Sequence, residues 1–278
     1  MTTHRLLEAF RASKPALGAW VTLPGIFNAR VAATASPHIS WLIIDCEHGM
    51  TSLQPGAAES IVAISALGPD APSTMVRIPA TGPSADGGTG WQIKYVLDAG
   101  AQGVLVPMVS TAAQAKSVVA AARFPPKGIR GFGSPFTQTA WGISVADYLA
   151  QANDGIVVMT QVETVDAVKN LDEILTVDGL DGVFIGPYDL SLAHGYPPPS
   201  PDPHPDVEVI IQDILRRSHA KGKKCAVYCT SGPQSAKRIE EGFDMINVTS
   251  DSGAMAQALA QSFAEAVGDH AATDKFRY

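Results

Sequence analysis

Basic charge is scarce in this 278-residue chain: Lys and Arg number 20 against 27 Asp and Glu, for a formal net charge of −7. No basic stripe is available to track phosphates, so DNA and RNA are excluded as expected partners. Cysteine is scarce too. Cys46, Cys225 and Cys229 form no disulfide framework, and with no signal-peptide pattern ahead of them they lead us to expect a reducing, cytoplasmic setting. Cys225 and Cys229 lie on one predicted strand without a second pair, and read as buried strand residues rather than zinc ligands. No apolar run approaches the ~20 residues that a membrane span requires. Absent as well are G-x-x-x-x-G-K-[ST] and a strand-linked G-x-G-x-x-G. Arg130-Gly-Phe-Gly-Ser has the glycines without the spacing, so nucleotide and nicotinamide cofactors are not expected.

What the chain does have is apolar content, 46% of its residues, enough for a large core. Eight short apolar segments, each bounded by Gly, Pro or polar residues, run over 17 to 22, 41 to 45, 74 to 78, 103 to 107, 156 to 163, 181 to 185, 225 to 229 and 244 to 248. Between most of them lie stretches of helical spacing, such as 112 to 122, 165 to 175 and 207 to 219. Alternating strand and helix implies parallel strands joined by crossovers, and eight units predict an α/β fold with one closed (β/α)8 TIM barrel over residues 1 to 278. A doubly wound sheet is the alternative. Two loops after predicted strands should lie on the catalytic face: Pro79 to Gly90, rich in Gly, Ser and Pro, and Tyr196 to Pro205, with six prolines in ten residues. A last, Ala-rich helix is predicted over about 253 to 267, followed by a polar tail.

The strand exits carry the chemistry. Glu163 ends the run Val157-Val-Met-Thr-Gln-Val-Glu163, and Asp189 closes Gly182-Val-Phe-Ile-Gly-Pro-Tyr-Asp189. Two carboxylates at neighbouring parallel strand exits form a natural site for one hard divalent cation, leaving positions open for a chelating 2-oxoacid and water. Each could instead cap a helix, which explains one carboxylate better than two. His48, directly after Trp41-Leu-Ile-Ile-Asp45 and beside Asp45 and Glu47, is the best-placed general base of the seven histidines, provided that a carboxylate holds its ring. The others read as structural. Arg77 closes the third segment, where its fork suits a carboxylate or a developing enolate, and a bracing ion pair with Asp45 is compatible with that role. Lysines fall on helices or, like Lys223 and Lys224, at the start of a strand, the wrong end for an imine-forming aldolase.

Together these residues resemble the HpcH/HpaI family of metal-dependent class II pyruvate aldolases. The likeness rests on Trp41-Leu-Ile-Ile-Asp-Cys-Glu-His48, Val76-Arg-Ile-Pro79, Gln92 through Met108, Gly128-Ile-Arg-Gly131, Gln161-Val-Glu163 and Val183-Phe-Ile-Gly-Pro-Tyr-Asp-Leu-Ser191. The resemblance implies a (β/α)8 barrel, with His48 as base, Arg77 stabilising an enolate, and Glu163 and Asp189 holding Mg²⁺, Mn²⁺ or Co²⁺. It further implies that Gln161 and the backbone near Tyr188 and Asp189 contact pyruvate, that Trp20 lines the substrate site, and that Asp98 raises the basicity of the histidine. The expected reaction is cleavage of a 4-hydroxy-2-oxoacid to pyruvate and an aldehyde. The alternatives are decarboxylation of oxaloacetate or a carbon–carbon bond formation of the kind run by fungal relatives that resemble macrophomate synthase. The stretch between Arg77 and Trp91, Tyr188 and Cys46 depart from the usual pattern, and all lie where the second substrate should approach. Because Asp98 ends a predicted helix at the opposite end of the barrel from His48, it is expected to serve a neighbouring subunit, within a homohexamer built as a trimer of dimers that uses the 253 to 267 helix for contacts.

Overall fold

The computed structural model describes residues 4 to 79 and 88 to 269. Eight parallel strands close on themselves in chain order: β1 (Ala16–Val21), β2 (Trp41–Asp45), β3 (Ser73–Arg77), β4 (Gly103–Val106), β5 (Val157–Val162), β6 (Gly182–Ile185), β7 (Lys224–Val227) and β8 (Met245–Ser250). The predicted barrel is found, and the open sheet is not. Closure is made by β1 against β8, with Ala16 opposite Met245 and Trp20 opposite Ser250.

Strands buried on both faces read as continuous apolar runs rather than alternating ones. Alternate residues fill the barrel: Trp41 and Ile43, Met75, Leu105, Val157 and Met159, Phe184, Ala226 and Met245 form one interior cluster. Their neighbours Leu42, Ile44, Val76, Val104, Val158, Val183 and Ile246 face the surrounding helices. Gly18 shows how tight the filling is, since a Cβ there would stand 2.1 Å from Trp41 Cδ2. Trp41 Nε1 in turn donates to the Ala16 carbonyl at 3.0 Å. Followed toward the carboxyl end, the inward parity delivers Trp20, Asp45, Arg77, Gln161 and Tyr228 to the mouth of the barrel.

The amino end is plugged by helix Arg5–Arg11, which contributes Leu6 and Phe10 to the interior cluster. Helix Ala112–Ala122 matches its prediction and starts with a capping box between Thr111 and Gln114. The stretch predicted as one helix over 165 to 175 is two, Val165–Lys169 and Leu171–Leu175. Asn170 interrupts it, drawn out by an Nδ2 hydrogen bond to the Ser110 carbonyl at 2.9 Å. Strand β7 stops at Val227, so Cys229 falls just beyond it; all three cysteines are free and buried. The last helix runs Asp251–Val267 and leaves Met255, Leu259, Phe263 and Val267 exposed along one stripe. Among the described residues no helix is long and apolar enough to cross a membrane. The loop from Pro79 to Gly90 lies mostly outside the described residues. In the proline-rich loop Tyr196 stacks on His204 at 4.3 Å, and Pro199, Pro201 and Pro203 line a small cleft with Tyr188 and Tyr228, on the mouth side.

Candidate active site at the barrel mouth

Arg77 is the centre of the mouth. Its Nε and Nη2 donate to the two oxygens of Asp45 at 2.8 and 2.7 Å, and its Nη1 lies 2.8 Å from Glu47 Oε2 and 3.4 Å from Gln161 Oε1. The expected pairing with Asp45 is therefore present, and Glu47 joins it. A guanidinium has five N–H donors; three are fixed on carboxylates here, and the longer bond to Gln161 is the one that an incoming oxygen would most easily displace. Trp20 closes one side, its ring centroid 4.1 Å from the Arg77 guanidinium carbon. Asp45 also shapes the backbone that follows it, because its Oδ1 accepts from the N–H of Glu47 at 3.1 Å and of His48 at 3.4 Å. That turn carries both side chains off the end of β2.

Glu163, buried just past β5, accepts from the Met108 N–H at 2.7 Å on Oε1 and from Gln161 Nε2 at 2.7 Å on Oε2. Its carboxyl is pushed up to about 7, first by burial and then by the negative charges of Asp189 and Glu47; the Met108 N–H and Arg77 oppose the shift. Burial also raises Glu47, against the pull of Arg77 and His48. Asp189 stands exposed in the first turn of helix Pro187–Ala193, whose N-cap is Gly186; Thr164 caps helix Val165–Lys169. Neither carboxylate is spent on capping. Gly186 allows the close approach between β6 and Glu163, because a Cβ there would lie 2.5 Å from Glu163 Oε2 and 3.1 Å from Gln161 Nε2.

His48 projects into solvent, 67% exposed, with Nε2 3.7 Å from Glu47 Oε2, beyond a good hydrogen bond. The carboxylate expected to hold its ring does so only loosely within one chain. Asp98 is elsewhere. Ending helix Gly90–Asp98, it is bound by Lys94 and by Arg130 at 2.9 Å, and the structure does not bring it to the His48 of its own chain. Tyr188 meets Tyr228 edge to face at 6.2 Å, and Tyr228 meets Trp20 at 5.5 Å, so an aromatic wall continues from Arg77 toward the proline-rich loop.

Three contributors to the site escape a reading of the sequence alone. Glu47 enters that reading only as a neighbour of His48; the available signal is an arginine with more donors than Asp45 can occupy. Tyr228 is reached by carrying the inward parity of Lys224 and Ala226 two residues further. Met108 gives no signal. Among the described residues no three His, Cys, Asp or Glu side chains form a ready-made metal cage; Asp189 is near enough to Glu163 for its charge to help raise that carboxyl.

An eight-stranded parallel barrel with acids and one fixed guanidinium at its carboxyl end has the layout of a barrel enzyme. Sequence comparison makes the class specific: residues 20–258 match the HpcH/HpaI aldolase/citrate lyase model, and the chain belongs to that family. It is 37% identical to the 2-keto-3-deoxy-L-rhamnonate aldolase of Escherichia coli O1:K1 / APEC over 265 residues, 95% of this chain and 93% of that protein. The fold is similar to that of an HpcH/HpaI aldolase/citrate lyase family protein from Burkholderia cenocepacia J2315, with a TM-score of 0.83, 28% identity, and 95% and 100% of the two chains covered. Macrophomate synthase shares the fold at a TM-score of 0.79 and 23% identity, covering 95% of this chain and 88% of that one.

Proposed function

We propose that this protein cleaves a 4-hydroxy-2-oxoacid to pyruvate and an aldehyde, and runs the condensation in reverse. The observation that carries the reading is the convergence of Arg77, clamped by Asp45 and Glu47, with the buried Glu163 at the carboxyl end of the barrel. The family is divalent-metal-dependent, and these residues suit a hard cation. Glu163 is a buried carboxylate pushed up to about 7 and repelled by two further acids, a crowding that a divalent charge would relieve. Glu163 and Asp189 would hold it, as Mg²⁺, Mn²⁺ or Co²⁺. When bound, the cation supplies a Lewis-acid sink for the electron pair released at the broken carbon–carbon bond.

The chain's own groups do the rest. Arg77, unable to turn because Asp45 grips it bidentately, presents its remaining donor capacity to the oxygen on which negative charge develops. Gln161, bridging Arg77 and Glu163, lines the oxoacid pocket with Trp20 and the backbone at Tyr188 and Asp189. His48 takes the proton from the 4-hydroxyl, the C3–C4 bond breaks, its electron pair passes to the enolate, and C4 leaves as the aldehyde. A proton returned to C3 gives pyruvate.

A second reading draws on the openness of His48. With Glu47 at 3.7 Å as its nearest acid, the ring is poorly held, and decarboxylation of oxaloacetate through the same enolate needs no base for cleavage. The two readings separate in one assay: pyruvate release from 2-keto-3-deoxy-L-rhamnonate, other 4-hydroxy-2-oxoacids and oxaloacetate, with Mg²⁺, Mn²⁺ or Co²⁺ and in excess EDTA. Turnover of the hydroxy-oxoacids that disappears in EDTA and returns with metal supports the aldolase. Full turnover in EDTA sinks the metal reading, and oxaloacetate as the sole substrate selects the decarboxylase.

The working enzyme is, on the same reading, a cytoplasmic homohexamer in which Asp98 reaches the His48 of a neighbouring subunit. Two observations support this: Asp98 sits away from its own His48, and the stripe of helix Asp251–Val267 is left exposed by the described residues. Mixing inactive His48→Ala with inactive Asp98→Ala subunits should regenerate activity. No complementation after verified subunit exchange removes the trans role.

A further inference from the structure

Two non-glycine residues among those described have a left-handed backbone, Ser13 and Met108. Ser13 follows helix Arg5–Arg11 and returns its N–H to the Phe10 carbonyl, an ordinary place for such a residue. Met108 ends no helix. At φ +58° it occupies a region that few non-glycine residues enter, and it does so beside the reactive carboxylates.

The consequence of that conformation is visible in the strand ladder. The last paired residues of β4 and β5 are Val106 and Thr160. Two residues further in the same register, Met108 would face Val162 and its N–H would be consumed by the sheet. Instead the chain leaves the ladder at Pro107, and the N–H of Met108 points to Glu163 Oε1 at 2.7 Å, a short charge-assisted bond. Gln161 Nε2 holds the other oxygen at 2.7 Å. One donor on each oxygen fixes the plane of the carboxylate, and each oxygen keeps further acceptor capacity. Val109 then returns to the buried helix-facing core.

We propose that Met108 is a positioning residue whose left-handed backbone aims its amide at Glu163 and so presets that carboxylate for a divalent cation. Its thioether has no part in this. The inference rests on the reading of Glu163 as a cation ligand. Strained backbone held in place by its surroundings is a recurrent feature of functional sites, and donors behind a ligating carboxylate typically change metal affinity by about 10- to 100-fold.

The test is Mn²⁺ binding to the intact protein by titration calorimetry, without substrate. Glycine is at ease at this backbone geometry and β-branched residues are not. Met108→Gly and Met108→Ala should bind Mn²⁺ within about threefold of wild type, whereas Met108→Val, with an unchanged circular dichroism spectrum, should bind about 10- to 100-fold more weakly. If Val does not fold, Met108→Thr is equally branched but smaller and carries the same expectation. Wild-type affinity in the branched variant overturns the proposal, as does a loss in Met108→Gly equal to that in Met108→Val, which would place the effect in the side chain. A wild-type protein that binds no Mn²⁺ fails differently, since it removes the cation site itself.

Discussion

The two ends of the barrel treat charge in opposite ways. At the amino end the acids and bases that precede the strands are matched locally. Asp244 receives Lys224 at 2.8 Å, His219 at 2.9 Å and the Cys225 N–H at 3.0 Å. Arg123 is shared among Asp181 and the carbonyls of Ile156 and Gly179. His4 accepts at Nδ1 from Leu7 N–H, with Ser73 Oγ at 3.0 Å, and donates through Nε2 to the Gln102 carbonyl at 3.0 Å. At the mouth, Asp45, Glu47, Glu163 and Asp189 are gathered around the single guanidinium of Arg77. One end is complete as folded. The other, among the described residues, crowds four acids about one guanidinium, the kind of imbalance that marks functional sites.

The largest expected effect sets one acid of each end against the other. Glu163→Ala should cut metal-restored turnover by more than about 100-fold, beyond the range seen for outer-shell partners, while leaving thermal stability unchanged or higher. Asp244→Ala should do the reverse, losing about 1.5–3 kcal/mol of stability in urea unfolding and keeping turnover below its melting point. Equal behaviour of the two variants would erase the distinction. Next in size, His48→Ala should slow aldol cleavage by roughly 10² to 10⁴-fold and oxaloacetate decarboxylation far less. Equal losses in both reactions would make the histidine structural.

A sharper form of the comparison uses pH, in chelator. Burial lowers His4 from 6.5 to about 4, so the unfolded chain takes up that proton first, and the stability His4 provides at neutral pH is lost as pH falls from 6.5 toward 4. Glu163 is raised from 4.5 to about 7, so the folded chain takes its proton first; that contribution is complete below 4.5 and lost as pH rises through 7. Each contribution amounts to at most about 3 kcal/mol. In urea unfolding, His4→Gln should flatten the acid-side loss, and Glu163→Gln should stabilise the metal-free protein above pH 7. Wild-type profiles in both variants would show that the two ends are electrostatically alike. The smallest effect is expected of Tyr188→Ala, which should alter the aldehyde preference within about tenfold and leave proton exchange at pyruvate C3, followed by NMR in D₂O, intact.

Most of the barrel is legible because double-sided burial writes each strand as a compact apolar run, and the observed strands fall within two residues of those runs. The break in the 165 to 175 helix is not, because it depends on Ser110, 60 residues away in sequence. In the site, residue type and strand exit are enough to nominate His48, Arg77, Glu163 and Asp189. Glu47 lies two residues past the last residue of β2, on a turn whose backbone Asp45 holds, so no strand pairing fixes its direction. The backbone sign at Met108 leaves no trace in the identity of a methionine. Asp98 shows another limit: its place on a helix end is readable, but its grip on Arg130 needs the fold.

The pairing of β1 with β8 has a consequence for how the molecule is made. Ala16–Val21 is made more than 200 residues before its partner edge, which ends at Ser250. At roughly 5–20 residues per second, about 10–50 s of synthesis separate the two. Throughout that interval β1 has β2 on one side and nothing on the other, and the His4 plug likewise waits for Ser73 and Gln102. The barrel therefore cannot close during translation of its first seven strands, and the open β1 edge is where a nascent chain is most exposed to pairing with the wrong neighbour.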